Sequence, residues 1–143
     1  MQAWRAFLEA HAYVTRLLEA DLEAEKALPL TWYDVLVQLE EADAQRLRMT
    51  ELAERVLLSK SGLTRLVDRM CEAGLVSRSA DDNGKRGRWV SMEAAGIERL
   101  HDAAPVHMRG IKDYFSDQLS EGEASAIAGP LRRIAGLARE RRP

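Results

Sequence analysis

The chain has a single cysteine, Cys71, in 143 residues. One thiol excludes an internal disulfide framework and any multi-cysteine zinc site. The three histidines, His11, His101 and His107, show no HxxxH or HExxH spacing, and the last two stand six apart, off a single helical face. No metal is expected. No apolar run approaches the ~18–20 residues needed to span a bilayer, so no membrane partner is expected. The opening stretch carries acids and lacks the apolar core of a signal peptide, which makes the cytoplasm the expected location. There is no Gly-rich phosphate loop, no nucleophile–base pair and no paired-carboxylate signature, so neither catalysis nor a cofactor is expected. Repeats, low-complexity tracts and long linkers are also missing.

What is present is an ordinary globular mixture, 46% apolar and 31% charged. A chain of this length is expected to be one domain, 1–143, with a core of its own. The net charge of −2 has the wrong sign for a nucleic-acid binder, but its distribution matters more. Residues 46–88 hold ten bases against six acids, while the rest holds eleven against seventeen. A basic middle between acidic arms fits a DNA-reading centre on a scaffold that does not touch DNA.

Apolar spacing predicts a helix over 3–27, through Trp4, Phe7, Leu8, His11, Val14, Leu18 and Leu22, broken at Leu28-Pro29-Leu30. Thr31 is the expected N-cap of a second helix, with Asp34 in its first turn. Residues 44–48 read as a connection or a very short strand. Thr50 then caps a short helix to Val56, and Ser59 caps one running through Glu72. Gly74 stands where a left-handed residue ends that helix. Leu75 to Arg78 and Arg88 to Met92 read as strands around the turn Asp81-Asp82-Asn83-Gly84. A long helix is expected from Glu93 to about Leu119, kinked at Pro105. Ser120-Glu121-Gly122-Glu123 is a capping box opening the last helix. Two helices joined by a short turn and followed by a hairpin make a winged helix-turn-helix, mainly α with a small β-hairpin.

A recognition helix needs a polar face that fits the major groove, backed by an apolar face that fixes its angle. Leu63, Leu66, Val67 and Met70 form the apolar stripe, and Lys60, Ser61, Thr64, Arg65 and Asp68 lie opposite. Ser61, Thr64 and Arg65 are the candidates for base edges, since an arginine fork suits guanine and a threonine methyl meets thymine. Ser59 sits at the cap of this DNA-facing helix, and Lys60 and Arg69 suit phosphates. Thr50 offers a hydroxyl and helix N-terminal amides to another phosphate. The turn 83–88 carries Lys85, Arg86 and Arg88 with two glycines, as a wing laid along the DNA backbone with Arg86 in the minor groove. Trp89 is expected to pack this wing against the lobe.

The stretch LRMTELAERVLLSKSGLTRLVDRMCEAGLVSRSADDNGKRGRWVSMEAAG, with LPLTWYDVLVQL before it, resembles the multiple-antibiotic-resistance regulator (MarR) family. Its most specific part is SKSGLTRLVDRMCEAGLV, followed by the wing and VSMEAAG. The resemblance implies a homodimer, with a winged helix-turn-helix lobe at 31–92 and dimerisation helices at 1–28 and 93–143. It places the recognition helix at 60–73 and the wing at 78–91, with Arg86 as the family's wing arginine. The family's usual Asp-Arg-Arg run is Gly84-Lys85-Arg86 here, so the acid that orients the arginine is missing unless Asp81 or Asp82 replaces it. Met92-Glu93 stands where leucine-threonine is usual.

The function so implied is a sequence-specific regulator of transcription, a repressor on a pseudo-palindromic duplex, released by a small aromatic or phenolic effector. Trp4, His11, Trp32 and Tyr33 are the residues suited to line an effector cleft, although rings on helix faces more often belong to cores. Relatives that sense peroxide use a cysteine near the N-terminus, so Cys71 is read as structural. The competing reading is a protein-interaction module that kept the fold and lost specific DNA binding.

Overall fold

The computed structural model describes residues 1–57, 61–80, 84 and 89–141. In chain order these form α1 (Gln2–Lys26), α2 (Leu30–Glu40), a 3-10 turn (Asp43–Gln45), β1 (Arg46–Arg48), α3 (Met49–Arg55), α4 (Leu63–Glu72), β2 (Val76–Ser79), β3 (Trp89–Met92), α5 (Ala94–Tyr114), a second 3-10 turn (Ser116–Gln118) and α6 (Glu121–Glu140). The fold is the expected winged helix-turn-helix, mainly α, but its hairpin has a third strand. Both pairings are antiparallel, in the order β1-β3-β2. No helix among the described residues is long and apolar enough to cross a membrane.

The chain forms two compact units, Leu18–His107 and a terminal unit of Met1–Leu17 with the residues from Met108 onward. All the buried large apolar side chains fall in Leu18–His107. Leu22 and Leu28, then Val35, Leu36 and Leu39 of α2, are 0–1% exposed, as are Leu52, Val67, Met70 and Val90. Each such side chain contributes roughly 1.5–3 kcal/mol by leaving water. Arg99 of α5 completes the exit from α1, where Ala27 takes a left-handed φ of 47°. Its guanidinium donates to the carbonyls of Lys26 and Ala27 at 2.7 and 2.9 Å, two groups left open by the end of the helix.

Several helix ends differ from the sequence expectation. Thr31 does not cap α2. Pro29, at φ −59° and ψ 138°, takes the cap position, and its carbonyl accepts the N–H groups of Trp32 and Tyr33. Asp34 instead accepts the Leu57 N–H at 2.8 Å and so holds the chain leaving α3. Thr50 lies inside the first turn of α3, because Arg48 occupies the cap and Glu51 accepts its N–H at 3.0 Å. α5 ends at Tyr114, five residues short of Leu119, and passes through Pro105 as one helix. The capping box of α6 is present: Ser120 Oγ accepts the Glu123 N–H at 3.3 Å, and the Glu123 carboxylate accepts the Ser120 N–H at 2.9 Å.

α4 stops as its sequence predicts. Gly74 is left-handed, at φ 75°. Its N–H donates to the Cys71 carbonyl and the Leu75 N–H donates to the Met70 carbonyl, both at 3.0 Å, which together make a Schellman motif. The Leu75 carbonyl then accepts the Glu93 N–H at 3.0 Å. α5 crosses here so closely that a Cβ on Gly96 would lie 2.2 Å from the Leu75 oxygen and 2.9 Å from Met92 Sδ. Gly96→Ala should therefore destabilise the fold by about 1–3 kcal/mol through overpacking, even though alanine favours helix by roughly 1 kcal/mol over glycine. Urea unfolding should show a lower midpoint with an unchanged slope, and a raised midpoint would mean that α5 moves aside freely.

Candidate nucleic-acid interface

α4 is built to sit on the core by one face only. Leu63, Leu66, Val67 and Met70 follow the i, i+3, i+4, i+7 stripe and are at most 7% exposed. Thr64, Arg65, Asp68 and Arg69 point the other way and are exposed. The regular helix begins at Leu63, not at residue 60, because Gly62 adopts a left-handed φ of 75° that interrupts any run from before it. Ser61 is thus exposed in the turn that enters the helix.

This arrangement gathers the candidate contacts from two helices. An open groove of about 720 Å³ is lined by Thr50 of α3 and by Ser61, Thr64 and Arg65 at the start of α4. A second, of about 590 Å³, is lined by Ser61, Arg65, Asp68 and Arg69, with Thr31 of α2. Thr50, Ser61, Thr64, Arg65 and Arg69 therefore share one side of the unit. Ser59, Lys60, Lys85, Arg86 and Arg88 lie outside the described residues, as do Asp81 and Asp82.

Two features of this side were not anticipated from sequence. The first is Arg78 of β2. It shares the core face of the sheet with Val90, its partner in register. Its guanidinium donates to the Thr64 carbonyl at 3.1 Å and pairs with Asp68 at 3.3 Å. A strand of the hairpin is thereby fastened to the polar side of α4, and the acid on that side is neutralised. The second concerns Trp89, which does not pack the wing against the lobe. β1–β3 register sets Trp89 opposite Arg48 on the face away from Leu47 and Val90. Its ring lies 4.4 Å from the Arg46 guanidinium and 4.8 Å from that of Arg48.

The residues proposed for an effector cleft are divided between the units. Trp4 and His11 belong to the terminal unit, both exposed and linked through Phe7, whose ring centroid lies 6.0 and 6.3 Å from theirs. Trp32 is half-buried, and Tyr33 is a core residue packed on His107 at 4.4 Å between centroids. Burial, with help from the Glu40 charge, pushes the Tyr33 phenol up from its ordinary pKa. Burial lowers the His107 imidazole, and the Asp34 carboxylate partly opposes this. Burial raises the Cys71 thiol, Arg78 opposing and Asp68, Glu72 and Glu93 adding to it. Thiolate, the form that reacts with oxidants, is correspondingly scarce at Cys71.

A sequence model of the MarR family matches residues 28–87. AbsC, a MarR family transcriptional regulator from Streptomyces coelicolor, is 32% identical, with a TM-score of 0.86 over 97% of this chain and 93% of that one. Sco3205, a MarR family regulator from the same organism whose structure is known in complex with DNA, is 31% identical, with a TM-score of 0.85 over 95% and 89%. The HTH-type transcriptional repressor YetL of Bacillus subtilis is 30% identical over 89 residues, 60% of this chain and 53% of the relative. Alignments with the curated relatives span 53% to 61% of those proteins' length.

Arg78→Ala should lower stability by about 1–2 kcal/mol in urea unfolding, through loss of a charge-assisted hydrogen bond from a half-buried group. Asp68→Ala, which leaves the Thr64 contact in place, should lower it less. Equal losses would assign the fastening to the ion pair alone. His107 gives a pH signature. Its folded pKa lies below the ordinary value near 6.5, so the unfolded chain binds more protons and acidification through that value disfavours folding. The midpoint should fall less between pH 7 and 5.5 in His107→Gln than in the parent, and an identical fall would place the titration elsewhere.

Proposed function

The chain belongs to the MarR family of transcriptional regulators, and we propose that it is a sequence-specific, homodimeric DNA-binding repressor. The observation that carries this reading is the groove that collects Thr50, Ser61, Thr64 and Arg65 beside a helix whose opposite face is buried. In the proposed complex α4 enters the major groove. Arg65 reads a guanine edge, Thr64 and Ser61 meet neighbouring bases, and Thr50, Ser59, Lys60 and Arg69 hold phosphates. Lys85, Arg86 and Arg88 lie along the backbone as a wing. The DNA complex of Sco3205 supports the DNA-binding reading, and the repressor YetL supports its sign.

Dimerisation is proposed through the terminal helices. Among the described residues thirteen large apolar side chains are exposed, and twelve of them belong to the terminal unit, including Trp4, Phe7, Ile127 and Ile134, which a single chain leaves in water. A two-fold dimer sets two copies of α4 about one helical turn of DNA apart, on a pseudo-palindrome. A small aromatic acid is the effector class that goes with this reading.

Selection of bound duplexes from a random pool tests the proposal. The expected product is a pair of inverted half-sites spaced by roughly 10 base pairs. Arg65→Ala should relax preference at one position per half-site, costing on the order of 1–3 kcal/mol there. A uniform loss on every sequence would move Arg65 to the phosphates, and no enrichment at all would refute the reading.

A further inference from the structure

The sheet has a second face, turned away from the core, that none of the contacts above uses. Register places six residues on it in two rows: Arg46, Ser91 and Ser77, then Arg48, Trp89 and Ser79. The alternate residues Leu47, Val90 and Val76 go into the core. The face therefore carries two cations, one indole and three hydroxyls, and no acid. Both arginines are exposed, and among the described residues no ion pair is formed by either guanidinium. Of the two acids three residues away by sequence, Asp43 before Arg46 and Glu51 after Arg48, neither pairs with these guanidiniums, and Glu51 spends its carboxylate on the Arg48 backbone N–H.

Two guanidiniums against one indole ring are held by cation–π attraction, and each limits the other's freedom. Brought that close, like charges repel, and an anion between them relieves the repulsion. Planar, immobilised guanidinium forks lose less entropy on binding than free side chains do and match phosphate geometry in two-point contact. Position supplies the identity of the anion. β3 begins one residue after Arg88, the last of the cations at 85, 86 and 88, and β1 ends one residue before Met49, which with Thr50 lines the α3–α4 groove. In chain order the two strands that carry the face therefore each adjoin a segment assigned to DNA.

We propose that Arg46 and Arg48, stacked on Trp89, form a phosphate clamp that grips the DNA backbone beside the wing. It rests on the DNA-binding reading and adds to it a sequence-independent anchor. In a wing that lacks the usual acid beside Arg86, this anchor holds the hairpin to the duplex from its base.

The test compares the full-length parent with Arg46→Gln/Arg48→Gln on the selected duplex and on an unrelated duplex, across a series of salt concentrations. Each backbone phosphate contact contributes about 0.9 to the slope of log affinity against log salt. The double variant should bind both duplexes more weakly by the same factor, with the slope reduced by about 4, because each of the two protomers loses two contacts, and the selected sequence unchanged. An unchanged slope in the variant, with normal binding by the parent, overturns the clamp alone. Failure of the parent to bind any duplex overturns the DNA reading and the clamp with it. A loss confined to the selected duplex would make the arginines base readers and overturn the clamp as stated. If the double variant loses its cooperative unfolding transition, Arg48→Gln is measured instead, with an expected slope reduction of about 2, one contact from each protomer.

Discussion

Four elements of this fold meet at one residue, Leu75. Its N–H closes the end of α4 on Met70, and its carbonyl receives the Glu93 N–H where β3 passes into α5. Gly96 stands bare against the same oxygen. The left-handed Gly74 just before it turns the chain from α4 into β2 within the three residues 73–75. The angle between α4 and the hairpin is thus set by backbone hydrogen bonds and a close backbone approach, with the Arg78 side chain as a second tie. A site whose parts must reach two grooves of one duplex needs such a joint, since an error at the joint grows with distance along the hairpin.

The electrostatics of α4 depend on a contact outside it. Asp68 lies one turn from Thr64 and Arg65, on the side proposed to face phosphate. Left free, its carboxylate would repel the backbone and draw Arg65 or Arg69 to itself. Arg78 reaches across from β2 and occupies it. The strand that carries the hairpin therefore also pairs the acid nearest Thr64 and Arg65, while Glu72 lies a further turn away at the end of α4. A chain of net charge −2 can present a basic surface in this way, with its acids either placed elsewhere or neutralised in pairs.

What could be read from sequence follows how local the determining interaction is. The stop of α4 at Gly74 and the start of α6 at Ser120 depend on residues within six positions of one another, and both agree with the structure. Thr31 and Thr50 looked equally good as caps, yet the chain does not use them. The Pro29 carbonyl takes the first N–H groups of α2, and Glu51 accepts the Arg48 N–H ahead of α3, competing starts that a propensity cannot rank. The late start of α4 turns on the sign of one φ at Gly62, a residue that tolerates either sign. Arg78, Arg46, Arg48 and Trp89 were invisible because their partners are set by strand register and by a third strand. The short run 44–48 carries almost no alternation to announce that strand. Tyr33 and Trp32 are adjacent rings with the same appearance in sequence, and only the facing of α2 tells the core residue from the half-buried one.

The terminal unit poses a different physical problem. α6 buries no residue in the single chain, and its Ile127, Leu131, Ile134 and Leu137 recur at helical spacing on its surface. Helix propensity alone does not hold a stretch of that kind, which contains Gly122, Gly129, Gly136 and an internal Pro130. The free energy that keeps it helical has to come from covering its apolar face, and in the proposed dimer a second copy does this. Folding of the terminal unit and association of the two chains then become one equilibrium, governed by protomer concentration. Leu18–His107, with its complete core, does not share that dependence. In the proposed dimer the spacing between the two Leu18–His107 units is set by the paired terminal helices. An effector that alters the pair can therefore change DNA binding without touching α4.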